Sequence, residues 1–178
     1  MNVGNTNTDL ILIGRDPRGY FLMARGNIRA GLCFPLREAL LAQLDQTADV
    51  PAVYVDLSEC RYMDSTFIGL LVAIDKKLQK GSGGRLHLLR PTAECREILE
   101  QIGLMNFLLI EERDMQAPNA MAVLAPNAEK PGADFILRTH EALMETSEEA
   151  RRKFALLKET LEQKLKGSGK PPRGNPEE

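Results

Sequence analysis

The stretch Ala52-Val-Tyr-Val-Asp-Leu-Ser-Glu-Cys-Arg-Tyr-Met-Asp-Ser-Thr-Phe-Ile-Gly-Leu-Leu-Val-Ala-Ile-Asp-Lys-Lys-Leu-Gln-Lys80 decides the fold. Residues Ala52 to Leu57 are mostly apolar, β-branched or aromatic, the composition of a strand covered on both faces. A short loop then leads to a helix opening at Asp64-Ser65-Thr66, because Phe67, Leu70, Leu71, Ile74 and Leu78 recur at helical spacing. Asp64 stands where an N-cap carboxylate would accept from the free N–H groups of the first turn. Ser65 follows it, with its hydroxyl at the positive end of the helix and open to modification or ligand contact.

Working outward, Leu10–Ile13 and Tyr20–Ala24 flank Gly-Arg-Asp-Pro-Arg-Gly and read as a hairpin. A loop from Arg25 leads to a helix running to about Gln43, with Pro35 expected in its first turn. Lys80-Gly-Ser-Gly-Gly stops the central helix. Arg85–Arg90 reads as a strand, and Thr92 caps a helix that Gly103 ends. Asn106–Ile110 is the last strand of this block. Strands alternating with helices make an α/β sheet containing parallel pairs.

The pattern Asp56-Leu-Ser-x-x-x-x-Met63-Asp-Ser-Thr-x-x-Gly69-Leu-Leu resembles the core of the STAS domain of bacterial anti-sigma factor antagonists. The resemblance runs from about Asp9 to Arg113. It implies a STAS-like mixed β-sheet with helices packed mainly on one face. It also implies that Ser65 is reversibly phosphorylated by a serine kinase that doubles as an anti-sigma factor, and that a PP2C-type phosphatase reverses the step. Asp64, Ser65, Thr66, Phe67, Ile68 and Arg29 are then the expected partner-binding residues.

Two positions depart from the family. It usually shows Gly-Leu-Gly after the acceptor, where this chain has Phe67-Ile68-Gly69. Phe67 either packs in the core or enlarges an apolar partner surface. The family's Gly-Glu-Leu-Asp loop corresponds here to Gly26-Asn27-Ile28-Arg29. The reversed charge at Arg29 either pairs with a phosphate on Ser65 or marks a rebuilt kinase contact.

Composition narrows the choices. A net charge of −2 argues against direct nucleic-acid binding, and no apolar run is long enough to insert in a bilayer. The N-terminus lacks the pattern of a signal peptide, so a cytoplasmic location is expected. Cys33, Cys60 and Cys95 are isolated and read as reduced, buried small hydrophobes. No cofactor or metal motif occurs. His87 and His140 are lone and distant, with no motif bringing either to Ser65, and the chain reads as a non-enzyme.

The expected organisation is a flexible N-terminus at 1–8, a STAS domain at 9–113, a linker at 114–133, a helical extension at 134–166 and a disordered tail at 167–178. Met121–Leu124 could still dock on the domain. In the extension, Ile136, His140, Leu143, Ser147, Ala150, Phe154, Leu157, Leu161 and Leu165 form one stripe. Thr146-Ser-Glu-Glu149 matches a capping box, which suggests two helices breaking at Thr146. This stripe could be a lid on the domain, a homodimer seam or a partner-binding helix. Two functions fit: a partner-switching antagonist, or a STAS scaffold subunit of a membrane-associated transport ATPase complex, not regulated by phosphorylation.

Overall fold

The computed structural model describes residues 8–46, 49–126 and 131–167. The expectations for the first seven residues, for 127–130 and for the tail beyond Gly167 lie outside the described residues. Eleven elements are described, in the order β1 (Leu10–Asp16), β2 (Gly19–Ile28), α1 (Ala30–Gln46), β3 (Ala52–Met63), α2 (Ser65–Lys80), β4 (Arg85–Leu89), α3 (Ala93–Gln101), β5 (Leu109–Glu111), β6 (Met121–Leu124), α4 (Ala133–Met144) and α5 (Glu148–Gly167).

The strands form one mixed sheet in the order β5-β4-β3-β2-β1-β6. The β1–β2 hairpin is antiparallel, and β2–β3, β3–β4 and β4–β5 pair in parallel. This is the expected α/β class. One face of β3, with Val53, Val55 and Leu57, shares a core with Leu32, Leu36 and Leu40 of α1, Leu71 and Ile74 of α2, and Cys95 and Leu99 of α3. All three cysteines are buried free thiols, and burial pushes the Cys33 thiol pKa up.

Three local readings need correction. β3 does not end at Leu57 but continues through Ser58–Met63, paired to β2 across two register shifts, between Met23 and Arg25 and between Gly26 and Asn27. The loop expected from Arg25 is therefore the end of β2. Polar residues hid the strand, because their hydrogen bonding comes from β2 and not from side-chain pattern.

Secondly, α1 begins at Ala30, so Pro35 lies inside the helix and not in its first turn. Proline cannot donate to the carbonyl four residues back, a loss that normally breaks a helix. The burial of Leu32, Cys33, Leu36 and Leu40, together with a side-chain cap on the Ala30 N–H, holds this one.

Thirdly, the break in the extension is real but its cap is Ser147, not Thr146. Ser147 Oγ accepts from Ala150 N at 3.0 Å and donates to Ile102 O at 2.8 Å, whereas Thr146 Oγ1 donates back to Leu143 O. One hydroxyl thus starts α5 and ties it to the end of α3.

Within the stretch expected as a linker, Met121–Leu124 pairs antiparallel with β1. Since β5 and β6 lie at opposite edges, residues 112–120 must cross the sheet. Along that crossing Arg113 lies over the Tyr54 ring at 5.5 Å, Asp114 pairs with Arg90 at 3.1 Å, and Gln116 O accepts from Arg18.

Candidate functional site

Asp64 organises the junction between β3 and α2. Its Oδ1 accepts from Phe67 N at 2.9 Å, the expected N-cap, while Oδ2 accepts from Ala30 N at 2.8 Å. Its own N–H donates to Ile28 O at 3.0 Å. A single carboxylate therefore caps α2 and holds the first residue of α1, so the starts of two helices converge where β2 and β3 end.

Ser65 is the first residue of α2, and its hydroxyl is engaged. Ser65 Oγ lies 2.8 Å from Nε2 of His140 on α4. His140 Nδ1 lies 2.7 Å from Ile136 O, a carbonyl that can only accept. The neutral ring therefore carries its proton on Nδ1, and Ser65 donates to Nε2. The imidazole is 1% exposed and stacks edge-on against Phe154 at 5.1 Å. Burial lowers its pKa, outweighing the Ile136 hydrogen bond and the negative charge of Asp64.

Sequence reasoning left both histidines away from Ser65, and for His140 this is corrected. The pair resembles the start of a nucleophile–base arrangement, but its third member is a peptide carbonyl. Ile136 O fixes the tautomer without supplying the charge that would stabilise an imidazolium, and burial disfavours that imidazolium further. The geometry is that of a latch between α2 and α4.

The other expected site residues fall into two groups. Thr66, Phe67 and Ile68 are buried, at 5%, 1% and 0% exposure. Phe67 packs in the core, and Ile68 is equally buried but lines the cleft beside Ser65. Arg29 is exposed, with its guanidinium 5.2 Å from the centre of the Tyr62 ring. Tyr62, Met63, Ser65, Ile68 and Ile98 line a cleft of about 260 Å³ whose far wall is Lys153 and Phe154 of α5. Arg29 thus reaches the edge of the Ser65 cleft through Tyr62.

Asp75, on α2, was missed. It is fully buried and accepts from Leu86 N at 2.8 Å, Arg85 Nε at 3.0 Å and Gln79 Nε2 at 2.7 Å, tying α2 to β4. A charged residue on an otherwise apolar helix face was its one sequence signal. Among the described residues no group of three or more His, Cys, Asp or Glu side chains could hold a metal ion, and no helix is long and apolar enough to cross a membrane.

A β2–β3–α2 junction with a capped serine at the helix start, set in a mixed sheet, defines a STAS-type domain. Residues 13–111 match the family model described as "Mlab, STAS domain", more than half of the chain, and the chain belongs to this STAS family. Among solved structures it is similar to the anti-sigma factor antagonist SpoIIAA in its unphosphorylated form, with 19% identity, 56% of this chain and 86% of that one covered, and a TM-score of 0.51. It is also similar to an anti-sigma factor antagonist from Mycobacterium paratuberculosis, with 19% identity, 62% and 92% covered, and a TM-score of 0.51. A third similar structure, described as a putative anti-sigma factor antagonist from Thermotoga maritima, has 19% identity, 57% and 85% covered, and a TM-score of 0.50. These likenesses establish the shared fold. No curated protein gives a significant match.

Proposed function

We propose that the chain is an anti-sigma factor antagonist of the partner-switching kind, which binds a serine kinase/anti-sigma factor while Ser65 is unphosphorylated. The observation that carries this reading is the position of Ser65 as the first residue of α2, directly after the capping Asp64. A phosphate there adds about −1.5 to −2 charges at neutral pH. The domain tolerates that charge, because unpaired N–H groups and the helix dipole favour an anion at a helix start. The same charge inside a partner's apolar contact is opposed by desolvation. Phosphorylation therefore leaves the sheet and α2 intact and ends binding, and a PP2C-type phosphatase restores it. The protein acts in the cytoplasm, as a binding module and not as an enzyme.

A second reading, a scaffold subunit of a membrane-associated transport ATPase complex, draws support from the engaged hydroxyl: Ser65 already spends its proton on His140. Capture of interacting proteins by the tagged full chain, with Ser65→Asp in parallel, separates the two. A serine kinase/anti-sigma factor retained by the wild-type chain and lost with Ser65→Asp supports partner switching. An ATPase subunit retained equally by both chains overturns it in favour of the scaffold.

A further inference from the structure

Three positions on α2, Ser65, Gly69 and Lys76, lie at steps of four and seven and therefore share one face of the helix. Each touches α4. Ser65 meets His140, and a Cβ on Gly69 would overlap the carbonyl of Thr139. Lys76 Nζ donates to Ala142 O at 3.1 Å and pairs with Glu145 at 2.5 Å. The near end of α4 is held by Phe135, edge-on to Phe34 of α1 at 6.4 Å and beneath the Arg37 guanidinium at 5.7 Å. The turn after α4 is held by Ser147 on Ile102 O. The hairpin α4–α5 is thus docked along α2 from Ser65 to Lys76, over the end of the domain where Ser65 sits.

We propose that α4–α5 is an intramolecular lid over Ser65, which has to leave before the hydroxyl can be modified and which cannot re-latch once it has been. The modification itself rests on the partner-switching reading; the lid rests on the contacts just described.

In phosphoryl transfer, Ser65 Oγ attacks the γ-phosphorus of a nucleoside triphosphate. The O–H proton passes to a base, the bond from γ-phosphorus to the bridging oxygen breaks, and the nucleoside diphosphate leaves. In the docked state that proton is directed at His140, and the side of Ser65 facing α4 is filled by the imidazole. The remaining side opens on a cleft of about 260 Å³ walled by Phe154 and Lys153 of α5 itself. Such a cleft is too small for the nucleotide and catalytic loop of a kinase. After transfer, the ester oxygen of phosphoserine has no proton to give. The Ser65–Nε2 hydrogen bond is then lost, and docking again would require His140 to protonate where its burial disfavours the imidazolium, a state that favours the undocked hairpin.

Hydrogen exchange on the full chain tests this with three proteins: wild type, Gly69→Ala, and a chain with phosphoserine placed at position 65 during synthesis. Gly69→Ala puts a methyl against Thr139 and leaves Ser65, His140 and the sheet-facing side of α2 untouched. The lid requires amides of α4 to exchange at least about tenfold faster in both altered chains, with β2, β3 and β4 as protected as in the wild type. If α4 in the phosphoserine chain stays as protected as in the wild type, the lid is overturned. It is equally overturned if Gly69→Ala, and Lys76→Ala beside it, exchange α4 only together with the sheet, since the hairpin would then be an inseparable part of the domain. An unmodified Ser65 in cells would instead remove the partner-switching reading without altering any of these exchange results.

Discussion

Gly69 and Thr139 meet backbone to backbone, so closely that any side chain at position 69 would enter the carbonyl of α4. An alanine inside a helix is favoured over glycine by about 1 kcal/mol, so an isolated α2 would gain from Gly69→Ala. The close approach reverses the sign. We expect the variant to lose about 1–3 kcal/mol in urea unfolding, the usual cost of overpacking. A variant more stable than the wild type would show that α4 does not sit against α2 as described.

Asp64→Ala removes the acceptors of both Phe67 N and Ala30 N. At about 1 kcal/mol for a typical cap, the loss is expected to be about 2 kcal/mol in chemical denaturation. Asp64→Asn keeps one acceptor oxygen and should lose less. Equal losses for the two variants would mean that one of the two capping bonds contributes nothing.

Asp75→Ala leaves the buried Leu86 N–H without its acceptor and removes the ion pair of Arg85, a side chain one-third exposed that still donates to Phe107 O. The expected cost is about 2–4 kcal/mol, mostly from the unsatisfied donor, measurable as a lower urea midpoint. A loss under about 0.5 kcal/mol, the scale of an ordinary surface substitution, would contradict a structural role.

The imidazole of His140 gives the docked hairpin a pH dependence. Burial holds its folded pKa below the ordinary histidine value, so between the two values the unfolded chain binds more protons than the folded one. The contribution is therefore fully present above about pH 6.5 and is lost as the pH falls through the folded value. Between pH 7.5 and 5 the wild type should lose more stability than His140→Gln, which does not titrate. Staying above pH 5 also keeps the Lys76–Glu145 pair charged, because Lys76 lowers the pKa of Glu145. Parallel pH profiles for the two proteins would remove His140 as the source.

Much of the fold could be read from local chemistry. The Asp64 cap, the Thr92 cap, the glycine stop after Lys80 and the β1–β2 hairpin each depend on residues within a few positions of one another. The run Ser58–Met63 looked like a loop because it pairs with β2 through two irregularities, which side-chain alternation does not report. α1 was misplaced because its start depends on Asp64, thirty-four residues away.

The serine was legible and its partner was not. Seventy-five residues separate Ser65 from His140, and no spacing rule spans such a distance. The one sequence signal for their meeting was Gly69, a glycine in the interior of a helix, where glycine persists for a packing reason. His140 itself looked like another member of a helical stripe. It is one, since the stripe turns toward α2 and carries the imidazole with it.

The most direct measurement is intact mass and phosphosite mapping of the protein purified from its own cells, with Ser65→Ala prepared alongside. Partner switching requires a single added phosphate that maps to Ser65, varies between growth and stress, and is absent from the variant. A Ser65 that stays unmodified under both conditions would contradict the reading and favour a constitutive STAS scaffold.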